Sequence, residues 1–316
     1  MLDSFKIGHY TDEENGTGAT VILCEKGAVG GVSVRGAAPA TRETDLLRNG
    51  KLVQKVNAVT LSGGSAFGLE CASGVMDYLF EKGLGYNAGK FNVPIVVGAS
   101  LYDLEYKNFA YPSKKDGYEA AKAARTDNFE GGCIGAGTGA TVSKMAGMES
   151  ARKAGLGVQA YSLNGLEIAV IVAVNALGDI VKDGKIILGA QAPDGGYLDS
   201  LKVFSAGSLE LKNQNTTIGC IITNARLTKE QANILADLAH DGFALSISPS
   251  HTMFDGDAMF CLASGEKDIE FNLLTAIIPR LTAEAIRAAA GQNDTPFLGK
   301  KVNKLMFGFF QKMWKK

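Results

Sequence analysis

The most informative segment of this chain is Asn215-Thr216-Thr217-Ile218-Gly219-Cys220-Ile221-Ile222-Thr223-Asn224. Its apolar run predicts a buried strand from about Thr217, which leaves Thr216 at the head of that strand. A threonine in this place is ordinary at a junction between a loop and a strand. If the bond before it breaks, however, the freed amine of Thr216 can take the proton of its own hydroxyl, which makes the hydroxyl a nucleophile. The rest of the sequence decides between these two interpretations.

Composition and charge limit the class of protein. The 316 residues are enough for one large domain or two small ones, and a hydrophobic share of 46% allows a substantial core. The net charge of −1 gives no overall reason to expect a nucleic-acid partner. The N-terminus has no apolar signal core, and no run of about 18 apolar residues occurs, so we expect a soluble, cytoplasmic protein.

Cysteine and histidine usage argues against metal or disulfide chemistry. The five cysteines are odd in number, isolated in apolar stretches and without the paired spacing of a metal site. We therefore expect them to be reduced residues of the core. The three histidines, His9, His240 and His251, are too few for a histidine-rich metal site. We expect no metal and no cofactor.

The pattern of apolar segments and turns predicts antiparallel sheets covered by helices. Residues 18–24 and 29–35 are predicted as two short strands joined by a glycine-containing turn. Asn164-Gly165 between two apolar runs is a strong hairpin signal, and tight turns require antiparallel neighbours. Thr228 opens a helix with a capping box, and that helix is predicted to run to about His240. This mixture indicates an α+β fold rather than a doubly wound parallel sheet.

Two glycine-rich motifs are compatible with ligand binding. Residues 135–140 match the dinucleotide fingerprint only weakly, because no strand precedes them and no acidic residue stands about 20 positions later. Residues 62–68 join a strand to a helix, but Phe67 stands where a nucleophile elbow around Ser65 requires glycine. This second motif is either a helix N-terminus whose N–H groups face a ligand or a carboxylate, or a tight turn capped by Ser65.

Two further places carry polar side chains that suit catalysis. Asp255 and Asp257 stand on either side of a glycine, so both can point the same way and orient an ammonium group or share a proton. An Asp-Gly-Asp sequence is also common in plain turns. Asn175 follows the predicted strand 168–174, where its amide is either an oxyanion donor or a turn residue.

Five motifs, taken in order along the chain, resemble those of one family. They are GAAPATRETDLL at 36–47, LSGGSAFGL at 61–69, GAGTGA at 135–140, NTTIG at 215–219 and HTMFDGD at 251–257. Together they resemble the P1-family (S58) self-processing peptidases, a group that includes L-aminopeptidase/D-amidase-esterases and β-aminopeptidases. The resemblance covers roughly residues 5–290.

The resemblance implies a four-layer αββα sandwich with largely antiparallel sheets, similar in layout to N-terminal-nucleophile hydrolases but with different connectivity. It implies a single hydrolase domain over residues 1–296. It also implies self-cleavage between Asn215 and Thr216, which would give chains of residues 1–215 and 216–316. The family resemblance further suggests a homo-oligomer, a tetramer.

The same resemblance assigns roles to the candidate catalytic residues. Thr216 would attack the substrate after its own release as an N-terminal residue, and Asn175 falls where the family places its oxyanion amide. Asp257 falls on the family's acidic residue near the nucleophile, where it would hold the Thr216 ammonium. Asp255 stands where better-described members have serine, and a carboxylate there can raise the amine pKa or bind a substrate ammonium. Thr216 itself replaces the serine of many members and keeps the hydroxyl.

The predicted activity is that of a cofactor-free, self-processing aminopeptidase or amidase. It would release small N-terminal residues from peptides, amides or esters through an acyl-threonine intermediate. We assign substrate binding to residues of the two glycine-rich motifs, namely Gly63, Gly64, Ser65, Gly137 and Thr138. Two alternatives stay open: an acyltransferase of related fold, similar to ornithine acetyltransferases, and an uncleaved binding protein without catalytic activity. A small peptide or amino-acid amide is the expected partner, and nucleic acid is not.

The C-terminal segment 297–316 differs from the rest of the chain. It carries six lysines and no acidic residue, and as a helix it would gather its apolar residues on one side. A basic amphipathic helix of this kind lies on a membrane surface, or packs on the domain or on a neighbouring subunit. Of these alternatives we favour packing.

Overall fold

The structure is a computed structural model that describes residues 2–207 and 215–291. In these residues it contains six α-helices and sixteen β-strands. The helices are α1 (Ser65–Gly68), α2 (Cys71–Glu81), α3 (Lys114–Lys122), α4 (Ser200–Ser205), α5 (Lys229–Ser246) and α6 (Phe271–Ala288). The strands are β1 (Lys6–Asp12), β2 (Thr17–Val34), β3 (Ala40–Arg42), β4 (Lys55–Ser62), β5 (Tyr86–Asn87), β6 (Asn92–Val93), β7 (Val96–Ser100), β8 (Thr141–Val142), β9 (Arg152–Lys153), β10 (Leu156–Leu163), β11 (Leu166–Ala173), β12 (Asp179–Lys182), β13 (Lys185–Leu188), β14 (Ile218–Ala225), β15 (Ile247–Ser248) and β16 (Ala258–Lys267).

Two predictions concern membrane contact. None of the helices in the described ranges is both long and apolar enough to cross a membrane. The segment 297–316, predicted as a basic amphipathic helix, lies outside the described residues.

Nine strands form one large sheet. Its order is β10-β11-β14-β16-β2-β4-β7-β3, and β1 pairs with the long strand β2. The pairs β14–β16 and β4–β7 are parallel, whereas the other pairs of this sheet are antiparallel. The predicted α+β class with largely antiparallel sheets is therefore confirmed.

The prediction of two short strands, at 18–24 and 29–35, joined by a turn is wrong. β2 is one strand of 18 residues, with β1 along its first half and β16 along its second half. Its ladder to β4 shifts register between Leu23 and Ala28, beside Gly27 at φ +77°. A bulge bends and twists a strand without reversing it, so this glycine serves a bend and not a hairpin turn.

Three hydrophobic clusters separate four layers. The first lies under helices α2 and α3, the second lies between the two halves of the large sheet, and the third lies under α5 and α6. Ala58 of β4 belongs to the first cluster and its neighbour Val59 to the second. Ile171 of β11 belongs to the second cluster and its neighbour Val170 to the third. Because successive side chains of a strand point to opposite faces, each half of the sheet has helices on one face and the other half on the other.

The predicted αββα sandwich is thus confirmed, and its two sheets are halves of one continuous sheet. Strand β2 joins them, because its first half lies beside β1 and its second half beside β16. The central cluster between the halves is lined by strand residues that are almost completely buried, among them Leu61, Phe260 and Leu262.

Two local predictions are confirmed, one with a changed boundary. Asn164 and Gly165 join β10 to β11 with φ values of +51° and +81°, as a two-residue hairpin turn requires. Thr228 caps α5 in a capping box, but the helix continues to Ser246 rather than ending near His240. The helix extends beyond His240 because the residues that follow are still buried on one face. Gly242 lets α5 cross α6 closely, since a Cβ at this position would lie 2.5 Å from a carbonyl oxygen of α6.

Candidate active site

The strand order brings three chain segments to one edge of the sheet. β14 and β16 are parallel neighbours with Ile218 opposite Ala258, so the residues before them lie side by side. β11 runs antiparallel to β14 and ends where β14 begins. The predicted site residues Thr216, Asp257 and Asn175 occupy these three positions. Residues that are far apart in sequence therefore meet because of the sheet topology.

The bond between Asn215 and Thr216 is held by hydrogen bonds on both sides. The Thr216 hydroxyl donates to the Asn215 carbonyl oxygen at 2.6 Å, and the N–H of Gly256 donates to the same oxygen at 2.7 Å. The N–H of Thr216 donates to the backbone carbonyl of Asn175 at 3.0 Å. Thr216 is only 4% exposed. The hydroxyl, the carbonyl before it and a backbone N–H donor are thus fixed together in a nearly dry environment.

Asp257 lies beside this bond, and each of its carboxylate oxygens accepts a hydrogen bond from a neighbouring residue. Its Oδ1 accepts from the N–H of Thr217 at 2.7 Å, and its Oδ2 accepts from Nδ1 of His251 at 2.7 Å. The side chain is buried. The carboxylate therefore contacts the residue next to Thr216 in the uncut chain, and its predicted contact with a Thr216 ammonium stays a prediction.

Asp255 is the second buried carboxylate of the pair. Its Oδ2 accepts from the N–H and the hydroxyl of Thr252, at 2.8 and 2.7 Å. Burial, and after it the charge of Asp257, raises the pKa of Asp255 to about 6, against a smaller lowering effect of these hydrogen bonds. A carboxyl group with such a pKa can exchange a proton close to neutral pH.

Asn175 contacts Thr216 through its backbone carbonyl, while its side chain has other partners. Its Nδ2 donates to the Tyr102 carbonyl at 2.9 Å, and its Oδ1 accepts from Nζ of Lys144 at 2.7 Å. The N–H of Thr141 also donates to Oδ1, at 3.1 Å. In the uncut chain the amide is thus part of a buried network, and its role as an oxyanion donor stays a prediction.

Lys144 is the site residue that the sequence reasoning missed. It is 2% exposed, and its ammonium also donates to the backbone carbonyl of Asn175 at 3.2 Å. Burial lowers the pKa of Lys144 to about 7, although the carboxylates of Asp255 and Asp103 act in the opposite direction. A signal was present in the sequence: Lys144 is the one charged residue in the stretch 141–147, directly after the motif at 135–140.

The first glycine-rich motif packs against a buried acid. Gly64 donates its N–H to Oδ1 of Asp103 at 2.7 Å, whereas Gly63 and Ser65 donate theirs to main-chain carbonyls. Burial raises the pKa of Asp103 to about 6. The motif therefore faces a carboxylate, one of the two partners expected for it. Asp103 follows Tyr102, whose carbonyl accepts from the Asn175 amide, so the motif's carboxylate partner is next in sequence to this buried network.

The second glycine-rich motif, residues 135–140, is linked to the site by the residues that follow it. The Thr138 hydroxyl donates to the Gly135 carbonyl at 2.7 Å, and the Gly137 carbonyl accepts from Nζ of Lys153 at 2.7 Å. The first contact lies within the loop, and the second ties the loop to β9. The loop then leads to Thr141 and Lys144, which contact Asn175. Substrate binding by Gly137 and Thr138 stays a prediction.

The arrangement supports acyl-transfer chemistry. It combines a hydroxyl beside a carbonyl, a backbone N–H on the oxygen that would carry the developing charge, and groups with pKa values of about 6 and about 7. Within residues 2–207 and 215–291, no group of three or more His, Cys, Asp or Glu side chains is arranged to hold a metal ion.

Comparison with known proteins assigns the family. The profile described as Peptidase family S58 matches residues 3–294. The chain belongs to peptidase family S58. The family resemblance inferred from the five motifs is thereby confirmed, and the S58 assignment identifies the protein as a peptidase-type hydrolase.

Relatives of this S58 peptidase include enzymes named for different activities. An uncharacterised aminopeptidase of Mycobacterium leprae is 35% identical over 292 residues, which cover 84% of this chain and 77% of that protein. A 6-aminohexanoate-oligomer endohydrolase of Paenarthrobacter ureafaciens is 31% identical over 274 residues, which cover 84% of this chain and 74% of that protein. The solved structure of the L-aminopeptidase D-Ala-esterase/amidase from Ochrobactrum anthropi, described as a variant of the Ntn hydrolase fold, aligns with a TM-score of 0.66 at 16% identity, covering 91% of this chain and 83% of that one. The last similarity supports the αββα fold of the S58 peptidase.

Proposed function

We propose that this protein is a self-processing aminopeptidase or amidase that cuts its own Asn215–Thr216 bond and then uses Thr216 as an N-terminal nucleophile. One observation carries the proposal. The Thr216 hydroxyl lies 2.6 Å from the Asn215 carbonyl oxygen, and that oxygen also accepts the Gly256 N–H at 2.7 Å. A nucleophile and an oxyanion donor thus converge on one peptide carbonyl before any substrate is bound.

Self-cleavage follows from these contacts in two steps. The Thr216 oxygen attacks the Asn215 carbonyl carbon, and the Gly256 N–H stabilises the negative charge on the carbonyl oxygen. The C–N bond then breaks, so that an ester joins Asn215 to the Thr216 oxygen and the Thr216 nitrogen leaves as an amine. Water hydrolyses the ester, which frees the Asn215 carboxylate and restores the hydroxyl. The neutral form of Lys144 takes the proton that the Thr216 hydroxyl loses and passes it to the Thr216 nitrogen, so the protons balance.

Lys144 and Asn175 support the proton transfers. The Asn175 carbonyl accepts the Thr216 N–H at 3.0 Å and also lies 3.2 Å from Nζ of Lys144. Since burial lowers the pKa of Lys144 to about 7, this lysine can give a proton to the leaving nitrogen near neutral pH. The site needs no cofactor for this scheme, because each step uses a group of the chain or a water molecule.

Turnover of a substrate repeats the same chemistry. The free Thr216 amine takes the proton from the Thr216 hydroxyl, which attacks a substrate carbonyl placed where the Asn215 carbonyl was. The acyl-threonine ester is then hydrolysed. Asp257 is the candidate to hold the new ammonium, because it already contacts the next residue, Thr217. Small N-terminal residues of peptides, amides or esters are the expected acyl groups.

A second candidate activity is endohydrolysis of a linear amide oligomer. It is favoured by the similarity to the 6-aminohexanoate-oligomer endohydrolase, which is 31% identical and aligned over 84% of this chain. Both activities would use the same nucleophile and differ in where the substrate chain is bound. Product analysis distinguishes them, since an aminopeptidase releases single N-terminal residues and an endohydrolase releases shorter oligomers.

Replacement of Thr216 tests the common mechanism. Denatured wild-type protein is expected to give two masses, with Thr216 at a new N-terminus. Thr216→Ser keeps the hydroxyl and should cut itself and hydrolyse amino-acid p-nitroanilides or a 6-aminohexanoate oligomer, whereas Thr216→Ala should stay intact and inactive. A Thr216→Ala protein that is still cut, or still active, would refute the scheme. Transfer to an added amine instead of water would indicate an acyltransferase, and an uncut, inactive wild type would indicate a binding protein.

We also propose a homo-oligomer, with a tetramer as the expected size, and packing of segment 297–316 on the protein. Light scattering of the purified protein measures the oligomer. Liposome co-sedimentation with and without residues 297–316 tests the alternative of membrane contact. Binding that disappears with the segment would contradict the packing proposal.

A further inference from the structure

A histidine lies behind the acid that contacts the nucleophile segment. Nδ1 of His251 is 2.7 Å from Oδ2 of Asp257, and the other oxygen of Asp257 accepts the Thr217 N–H at 2.7 Å. The backbone N–H of His251 points to the same Oδ2 at 3.3 Å. A continuous chain of hydrogen bonds therefore leads from His251 through Asp257 to the residue that follows Thr216.

The ring of His251 is held by neighbours from helix α5. It stacks on Phe243, with centroids 5.3 Å apart and an angle of 27°, and it meets the ring of His240 edge-on at 4.8 Å. Burial first, and the neighbouring His251 to a smaller extent, lowers the pKa of His240 to about 4, so that His240 is neutral near pH 7. The charged group that faces the His251 ring at hydrogen-bond distance is thus Asp257.

Two features of His251 are unfavourable for a residue that serves packing alone. Its backbone has φ +56°, a left-handed conformation that non-glycine residues rarely adopt. Its Nε2 is buried and has no hydrogen-bond partner among residues 2–207 and 215–291. A hydrophobic ring would fill the same space without a buried polar atom. What only the imidazole supplies at this place is the hydrogen bond to Asp257.

We infer that His251 is a positioning residue for the nucleophile: it orients Asp257, which in turn fixes the Thr217 N–H and with it the direction of the Thr216 hydroxyl. The inference rests on the proposed function, in which Thr216 is the nucleophile. His251 itself does not touch the reacting atoms. Loss of the imidazole hydrogen bond leaves Oδ2 of Asp257 with only the longer 3.3 Å contact to the His251 N–H. The carboxylate is then held less firmly, and in the proposal the Thr216 oxygen shifts relative to the Asn215 carbonyl. A displacement of about 1 Å at a reacting atom can cost about 100-fold in rate.

Three substitutions separate hydrogen bonding from packing. His251→Asn keeps an N–H donor at the position of Nδ1 and tolerates φ above zero, but it removes the stacked ring. His251→Phe keeps the stacked ring and removes the donor. His251→Gly removes both but relieves the backbone strain, so it controls for the cost of φ +56° in the phenylalanine variant. His9→Asn is the matched control, because His9 is also partly buried and bonded through Nδ1, to Thr20.

The readouts are the rate of self-cleavage, and kcat and KM of the mature enzyme. We expect His251→Asn and His9→Asn to stay within about 3-fold of wild type. His251→Phe and His251→Gly should lose about 10- to 100-fold in kcat and in self-cleavage, with KM changed by less than about 3-fold. Thermal melting of each variant in the uncut Thr216→Ala background measures stability separately. In that background the amide proton resonance of Thr217 should keep its position in His251→Asn and shift in His251→Phe.

Two results would overturn the inference. One is full kcat in His251→Phe or His251→Gly. The other is a loss of kcat in His251→Asn as large as in His251→Phe, which would show that an N–H donor at this position does not preserve the activity. Failure of the proposed function looks different, because then Thr216→Ala would itself be cut or active, or the wild type would be uncut and inactive. In that case the Thr217 amide resonance still tests whether His251 fixes Asp257.

Discussion

Substitution of Gly256 by alanine is a direct test of the geometry around the proposed cleavage bond, Asn215–Thr216. Gly256 donates its N–H to the Asn215 carbonyl at 2.7 Å, and it lies against the Thr216 side chain. A Cβ on Gly256 would lie 2.8 Å from Oγ1 of Thr216 and 2.5 Å from the backbone carbonyl oxygen of Ala38. Neither distance is compatible with an ordinary carbon–oxygen contact, so either the hydroxyl or the loop must move.

The size of the effect can be worked out from these distances. An ordinary Cβ contact begins at about 3.4 Å, so the hydroxyl must retreat by about 0.6 Å, and Ala38 must move by about 0.9 Å. A displacement of about 1 Å costs about 100-fold when it separates reacting groups. Loss of one oxyanion donor costs about 10²–10³ in rate, and the Gly256 N–H moves with its residue. We therefore expect Gly256→Ala to slow self-cleavage by about 100-fold or more.

The assay follows the appearance of the two chains by intact mass after synthesis and purification at low temperature. Gly196→Ala is the matched control, because its Cβ would meet nothing closer than a side-chain oxygen of Asp194 at 3.4 Å. Circular dichroism shows whether the variants are folded. Cleavage of Gly256→Ala at the wild-type rate, in a folded protein, would refute the argument that the Thr216 hydroxyl and the Gly256 N–H act together on the Asn215 carbonyl.

Two further predictions concern the buried charged groups. Lys144→Met should lower both self-cleavage and kcat by about 10²-fold or more, because the lysine with a pKa of about 7 is the proposed proton donor; single-turnover kinetics measures this, and wild-type rates would exclude the role. Asp103→Asn should gain stability relative to wild type as the pH rises from 4 to 6. Burial raises the pKa of Asp103 from 3.8 to about 6, so in this range the carboxyl group ionises readily in the unfolded wild type but not in the folded one, which destabilises the wild-type fold. The shift of about two pH units corresponds to about 3 kcal/mol. Urea unfolding of both proteins in the Thr216→Ala background measures it, and a difference that does not change with pH would contradict the origin given for the raised pKa.

Local sequence patterns were sufficient to predict structure where the stabilising interaction joins residues that are close in sequence. The Asn164-Gly165 turn and the capping box at Thr228 depend on residues within a few positions of each other, and both are present. The order of the five motifs indicated the family and, through it, the αββα sandwich. The pattern failed at β2, because a glycine in a bulge and a glycine in a turn have the same sequence signature, and only the strand partners on either side distinguish them.

The candidate site was likewise predictable in part: its residues could be named from the sequence, but their contacts could not. Thr216, Asn175, Asp255 and Asp257 could be picked out from their own motifs, and the sheet brings them together. What Asn175 contacts could not be read from its motif, since its amide pairs with Lys144, which lies 31 positions away.

The sequence by itself determined the composition of the core, the turns, the family and the position of the candidate nucleophile. The tertiary structure alone decided the surroundings of that nucleophile: the Gly256 N–H on the Asn215 carbonyl, and the link from His251 through Asp257 to Thr217, which is 40 positions from Asp257. The physical reason is that hydrogen bonds and burial depend on distances in space. A one-dimensional pattern records these only where neighbours in the chain are also neighbours in the fold.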